Sequence, residues 1–386
     1  PNCPECPDYR QRRGGTTAFL LSVLARQRHG FPGRCRASMA WRHTPAEACN
    51  RHMNCPMGMG TLQRKDLPFR DVSRIIEIKT GLLLLLAGFG GKDVGAVDYG
   101  ACTLCPRACG VDRRTGQLGF CRMPGQMRVA KAMRHFWEEP ALAGPGGSGA
   151  IFFSGCTLGC LYCQNEEISA GGLGREWTSR DLRRAMEDLI AQGAENIDLV
   201  TPTHFLPEIL PALTPKLPVP VVYNCGGYES VETLRQLEGL VDIYLPDLKY
   251  ACGALSARLS GAGDYFPVAA AAIGEMVRQT GPCQMEGERL RRGVLIRHLI
   301  LPGQVENSLR VLDWIGETFP KGTVLVSLMR QYTPMPRVAG LPPLDRQVTQ
   351  EEYEAVLSWM YLNELDGFVQ EEAAASEKFI PNFKKE

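Results

Sequence analysis

Cys156, Cys160 and Cys163 form a Cys-x3-Cys-x2-Cys run that opens on Ser154-Gly155 and closes on Gln164-Asn165. Three thiolates can hold three corners of an iron–sulfur cubane. Such clusters usually take four cysteines, so one iron is left without a protein ligand. An open coordination position is what separates a catalytic metal site from a closed structural one. The plainer alternative is a zinc ion that recruits a fourth ligand from elsewhere, but zinc knuckles favour paired Cys-x2-Cys spacing. A second set lies upstream at Cys102, Cys105, Cys109 and Cys121. Four thiolates make a closed set. It suits structural zinc, a second and fully ligated cluster serving as relay or prop, or reduced cysteines in a small apolar knot.

These seven are part of 15 cysteines in a 386-residue chain. Their crowding suits metal ligation in a reducing cytosol better than a disulfide framework. Lys+Arg number 43 against 42 Asp+Glu, a net charge of +1 that gives no reason to expect a nucleic acid or an acidic membrane as partner. The apolar run from Gly81 to Phe89 is too short to span a bilayer, and no secretory signal is read, so the expected location is cytoplasmic.

The elements that position the cysteines follow from pattern. Residues 1–97 read as a poorly structured or extraneous segment: the first seventy carry 12 Lys or Arg against 4 Asp or Glu, without a sustained apolar period, and the chain starts at Pro1. A basic arm and a targeting peptide are the alternatives for that segment. Residues 98–149 form a Cys-rich unit. Residues 150–386 alternate short β-rich runs with helical patterns. The runs are 150–154, 196–200, 219–224, 241–245, 293–301 and 323–329. Leu182, Ala185, Met186, Leu189 and Ile190 share one helical face, behind a capping pair at Thr178 and Asp181; Tyr353, Val356, Leu357, Met360 and Tyr361 repeat the spacing behind Thr349 and Glu352. Alternation of this kind predicts an α/β fold with a parallel sheet, a partial (β/α)6 TIM-like barrel. Right-handed crossovers put the C-terminal ends of its strands on one face, where the reacting groups belong.

The cluster motif, with an aromatic residue before its last cysteine, resembles the signature of the radical S-adenosylmethionine superfamily. The resemblance covers about residue 102 to the C-terminus. The segments Cys-Gln-Asn at 163–165, Thr-Pro-Thr-His at 201–204, Leu-Pro-Asp-Leu-Lys at 245–249, Arg-His-Leu-Ile-Leu-Pro-Gly at 297–303 and Gln-Tyr at 331–332 are similar to uncharacterised homologues of pyruvate formate-lyase activating enzyme. What the resemblance implies is a 4Fe-4S cluster whose free iron is chelated by S-adenosylmethionine. The reduced cluster cleaves that molecule to a 5′-deoxyadenosyl radical. The implied partners are a reductant such as flavodoxin or ferredoxin, and a glycyl-radical enzyme or another protein or peptide as substrate.

Candidate cofactor contacts follow the strands. Tyr162 would line the adenine side by analogy, or pack under the loop. Thr203 and His204 stand where activating enzymes carry a Gly-Gly-Glu motif for the amino group, and must replace its carboxylate. The plainer role for His204 is a helix cap. Asn224, Gly226 and Gly227 allow close backbone approach to a nucleoside, as in any tight turn. Asp247 and Lys249 fall on one side of their strand, suited to the polar end of a zwitterion or to a mutual salt bridge. Of Arg297 and His298 one must face the barrel; the resemblance favours His298. Gln331 is a weaker candidate.

Overall fold

The computed structural model of the protein describes residues 99–170, 172–370 and 383, together with the backbone of 41–43. The expectations for residues 1–97 otherwise lie outside the described residues. Eleven strands form one sheet: β1 (Trp41–His43), β2 (Arg128–His135), β3 (Ser148–Phe153), β4 (Arg175–Glu176), β5 (Asn196–Val200), β6 (Val221–Cys225), β7 (Ile243–Pro246), β8 (Gln284–Glu286), β9 (Arg289–Leu299), β10 (Val324–Met329) and β11 (Gly367–Gln370). The order is β1-β11-β10-β9-β7-β6-β5-β3-β2-β4, with β8 on β9. From β3 to β11 along this path every pairing is parallel. β2 and β4 at one end and β1 at the other run antiparallel. No pairing among the described residues joins the two ends, so the barrel is open.

All six expected strands are present, and β11 adds a seventh parallel one. Its four residues follow the last helix, too short to show a period in the sequence. Gly367 admits it. At φ +155°, a Cβ there would lie 1.8 Å from the Val326 carbonyl oxygen. β3, β6, β7 and β11 are buried along their whole length, as a parallel sheet covered on both faces requires.

The helices are α1 (Glu166–Ser169), α2 (Ser179–Ala191), α3 (Leu206–Ala212), α4 (Val231–Arg235), α5 (Gly253–Ser260), α6 (Tyr265–Thr280), α7 (Val305–Thr318) and α8 (Gln350–Leu362). Both expected capping boxes form, Thr178 with Asp181 on α2 and Thr349 with Glu352 on α8. Each satisfies amide donors that the first helical turn leaves free. α2 buries Leu182, Met186 and Leu189 as expected. On α8 the buried face carries Trp359 beside Tyr353, Val356 and Met360, while Tyr361 is exposed. The indole Nε1 donates to Asp313 at 2.8 Å, which draws Trp359 toward α7.

Arg113, a fully buried side chain, braces the Cys-rich unit internally and ties it to the turn after β5. Its guanidinium donates to the carbonyls of Met123 (3.1 Å), Pro124 (2.7 Å) and His204 (2.6 Å). It also stacks over Tyr99 at 4.6 Å. Among the described residues no helix is long and apolar enough to cross a membrane.

Candidate functional site

Cys156, Cys160 and Cys163 sit on the loop that leaves β3 at the C-terminal face of the sheet. The loop turns at Gly155, φ +87°, where a Cβ would lie 2.5 Å from the Met123 side chain and 2.7 Å from the Cys121 carbonyl oxygen. Glycine is therefore what lets the Cys-rich unit pack against the loop. Each sulfur accepts a hydrogen bond. Leu158 N–H donates to Cys156 Sγ (3.4 Å), Ser260 Oγ to Cys160 Sγ (2.9 Å) and Ser169 Oγ to Cys163 Sγ (3.4 Å). Burial, then the neighbouring thiols of Cys160 and Cys163, push Cys156 up to about 12. Burial and Cys160 raise Cys163 as well. Three thiols that repel one another as anions call for a cation among them.

Among the described residues no three His, Cys, Asp or Glu side chains converge on a single ion position. A cubane instead presents a separate iron to each thiolate, which fits three spaced thiols on one loop. A fourth cysteine, Cys225, also lines the cavity and is buried beside Glu229 and Asp247. Among the described residues no further Cys, His, Asp or Glu groups with the trio at one ion position. The same observation bears on Cys102, Cys105, Cys109 and Cys121: three are buried and Cys109 is exposed, and they do not converge on one ion either.

The loop roofs a cavity of about 260 Å³. Of the residues expected from sequence, Tyr162, Asn224, Gly226, Asp247, Lys249 and Gln331 line it. Tyr162 is buried, with its hydroxyl paired to Tyr250 at 2.7 Å. Asp247 pairs with Lys249 and accepts from Arg297 Nε at 2.8 Å. Burial opposes ionisation of Asp247, but Arg297 and Lys249 outweigh it and hold the carboxyl below its ordinary range. Arg297 reaches on to Asn224 Oδ1 at 2.6 Å, and Asn224 Nδ2 donates to Asp198 at 3.2 Å. A polar floor thus crosses β5, β6, β7 and β9.

Four expected residues are placed otherwise. His298 does not face the barrel. Its Nδ1 lies 2.7 Å from the Leu248 carbonyl and its Nε2 2.8 Å from Ser308 Oγ on α7. Burial lowers it to about 4, so it is a neutral structural histidine. Alternation gives the inward position to Arg297, which lines the cavity. His204 is buried behind the cluster loop, its Nε2 at 2.6 Å from the Ser154 carbonyl, and burial lowers it to about 3. Thr203 is buried too, donating to Glu229 at 2.7 Å and accepting from Tyr223. Neither Thr203 nor His204 lines the cavity; Thr201 from the same turn does. Gly227 is a packing residue, since a Cβ there would lie 2.1 Å from the Asp247 carbonyl oxygen.

Three acidic residues escaped the sequence reading. Glu229 lines the cavity, and burial raises it to about 7 against the hydrogen bond from Thr203. Glu138, on the turn after β2, lines it as well and lies 3.6 Å from Arg297. Asp198 sits within β5, raised well above its ordinary value by burial and then by Glu138. A carboxylate in the middle of an apolar strand run was the available signal for Asp198. For Glu229 it was the acid two residues beyond the glycine pair.

Comparison with known proteins agrees with the cluster loop. Residues 142–204 match the family model of a 4Fe-4S single cluster domain, and all three cysteines lie inside the matched segment. An uncharacterized protein of Methanocaldococcus jannaschii is 29% identical over 306 residues, 77% of this chain and 83% of its own length. Among solved structures the chain is similar to Streptococcus suis SuiB bound to the precursor peptide SuiA, with TM-score 0.38 and 15% identity over 56% of this chain and 46% of SuiB. It is also similar to methylornithine synthase PylB, with TM-score 0.38 and 15% identity over 54% of this chain and 60% of PylB. The chain thus spans about half the length of SuiB.

Proposed function

We propose that the protein is a radical S-adenosylmethionine enzyme. The observation that carries this is a trio of thiols on one loop, roofing a polar cavity at the C-terminal ends of the strands. A 4Fe-4S cluster held by Cys156, Cys160 and Cys163 would supply one electron to bound S-adenosylmethionine, releasing methionine and a 5′-deoxyadenosyl radical. The chain's own residues bind and orient. Asp247 and Lys249 present a carboxylate and an ammonium to the zwitterionic end, and Glu229 supplies the carboxylate that Thr203 and His204 do not. Asn224 and Gly226 border the nucleoside. The substrate is a hydrogen donor on a protein or peptide, a glycyl-radical enzyme being one such partner. The electron comes from a flavodoxin- or ferredoxin-type reductant in the cytoplasm.

The test is anaerobic reconstitution with iron and sulfide, reduction, addition of S-adenosylmethionine and chromatography for 5′-deoxyadenosine and methionine. Equal amounts of the two products are expected from the wild type. A reducible cluster that gives no more product than a Cys156→Ala, Cys160→Ala, Cys163→Ala control would leave only a metal scaffold or electron carrier.

A further inference from the structure

Arg107 lies inside the upstream cysteine unit, in a turn closed by the Ala108 amide donating to the Cys105 carbonyl at 3.0 Å. Its side chain leaves that unit. Nε donates to the Thr157 carbonyl at 2.9 Å, and Nη2 to the Ser260 carbonyl at 2.9 Å and the Leu158 carbonyl at 3.5 Å. Nη1 donates to the Gly261 carbonyl at 2.5 Å. Thr157 and Leu158 are residues between Cys156 and Cys160. Ser260 and Gly261 end α5, where the last carbonyls lack helical partners and carry the negative pole of the helix. The guanidinium is steadied on the Phe120 ring at 3.9 Å and the Tyr228 ring at 5.2 Å. A planar fork with five N–H donors can serve four carbonyls at once; a lysine ammonium has three donors and no plane to stack.

The end of α5 is tied in turn to the cluster loop. Leu161 N–H donates to the Leu259 carbonyl at 2.9 Å, and Ser260 Oγ donates to Cys160 Sγ at 2.9 Å. Tyr250, which holds the Tyr162 hydroxyl, is also bonded to Ser260 Oγ at 2.7 Å. A shift of the Ser260 turn therefore moves a donor away from a cluster sulfur.

We infer that Arg107 is a positioning residue through which the upstream cysteine unit holds the cluster loop, fixing Thr157 and Leu158 directly and the Cys160 sulfur through Ser260. This rests on the proposed cluster at Cys156, Cys160 and Cys163. Hydrogen bonds to sulfur are among the factors that set the potential of such a cluster. Residues that orient metal ligands typically carry about tenfold to a hundredfold of metal affinity or activity.

The test compares reconstituted wild type, Arg107→Gln, Arg107→Lys and Ser260→Ala. The readouts are the rate of iron loss to a chelator, the paramagnetic resonance spectrum of the reduced cluster and its midpoint potential. The unfolding temperature of each cluster-free protein is measured beside them. Arg107→Gln is expected to lose iron about tenfold faster with an altered spectrum and a shifted potential. Ser260→Ala should shift the potential in the same direction without a comparable fall in cluster-free stability, and Arg107→Lys should fall between wild type and Arg107→Gln. Iron loss, spectrum and potential unchanged in Arg107→Gln would overturn the inference. If that variant does not fold, unchanged values in both Arg107→Lys and Ser260→Ala overturn it equally. A wild type that binds no cluster on the three cysteines would sink the underlying reading and this inference together, whereas a normal wild type with normal variants would sink this inference alone.

Discussion

Replacing Arg113 by Met is the sharpest test of how the Cys-rich unit is attached. The change keeps an apolar stem of similar length and removes every donor. The carbonyls of Met123, Pro124 and His204 then lose a donor; Met123 keeps the Gly119 amide at 3.2 Å, and the Pro124 bond is only partly buried. A buried polar group left without a hydrogen bond costs about 1 to 3 kcal/mol; His204 bears that in full and the other two in part, a gross loss of about 2 to 4 kcal/mol. The ring contact with Tyr99 adds about 0.5 to 1 kcal/mol. Against this, a buried cation no longer has to be desolvated, which returns part of the loss. The net expectation is about 2 kcal/mol of destabilisation. Urea unfolding followed by far-UV circular dichroism, extrapolated linearly to water, measures it. Arg114→Met is the surface comparison: Arg114 is exposed and its ion pair with Asp112 at 2.9 Å lies at the surface, so its loss should be clearly smaller than that of Arg113→Met. A loss under about 1 kcal/mol for Arg113→Met, with an unchanged slope, would refute the reasoning.

Gly155→Ala should destabilise the cluster loop by about 2 kcal/mol or more, since a left-handed backbone and two contacts below 3 Å act together; iron content after reconstitution and thermal unfolding check it, and a fully loaded variant of normal stability would count against it. Glu139 is raised by burial, then by Glu138, to about 8. A carboxyl that holds its proton more tightly folded than unfolded loses stability as pH rises from its unfolded value, near 4.5, to its folded value. Glu139→Gln should therefore be more stable than wild type at pH 8.5, with the gain shrinking toward pH 5; a gain that grew on acidification would contradict the assignment. Glu229, at about 7 in the free protein, is charged mainly above neutrality. Glu229→Gln should weaken S-adenosylmethionine binding about tenfold at pH 8, roughly 1.4 kcal/mol, and less at pH 6, as read by equilibrium dialysis; a pH-independent effect would remove Glu229 from the contacts to the amino group.

Much of the architecture was legible because it rests on local chemistry. The strand runs are mostly buried and apolar, the capping residues of α2 and α8 satisfy donors within four residues, and the cysteine spacing needs no tertiary context. Side-chain direction was not legible in the same way. β9 is buried on both faces, so alternation fixes that Arg297 and His298 diverge but not which one faces inward. The structure decides by partners: Asp247 and Asn224 meet Arg297, and Ser308 meets His298. Glu138 was hidden because it comes from an antiparallel edge hairpin outside the repeat that drew attention. The fixing role of Arg107 involves carbonyls about 50 and 150 positions away, and no spacing rule encodes such a contact.

The central claim is that one iron of a cluster on Cys156, Cys160 and Cys163 remains free for the amino acid end of S-adenosylmethionine. Electron–nuclear double resonance on the reduced, reconstituted protein, with S-adenosylmethionine labelled with nitrogen-15 at the amino group and oxygen-17 at the carboxyl, measures that bond directly. The account predicts hyperfine coupling of both labels to the cluster, lost in the Cys160→Ala variant. A reduced cluster that couples to neither label would contradict it.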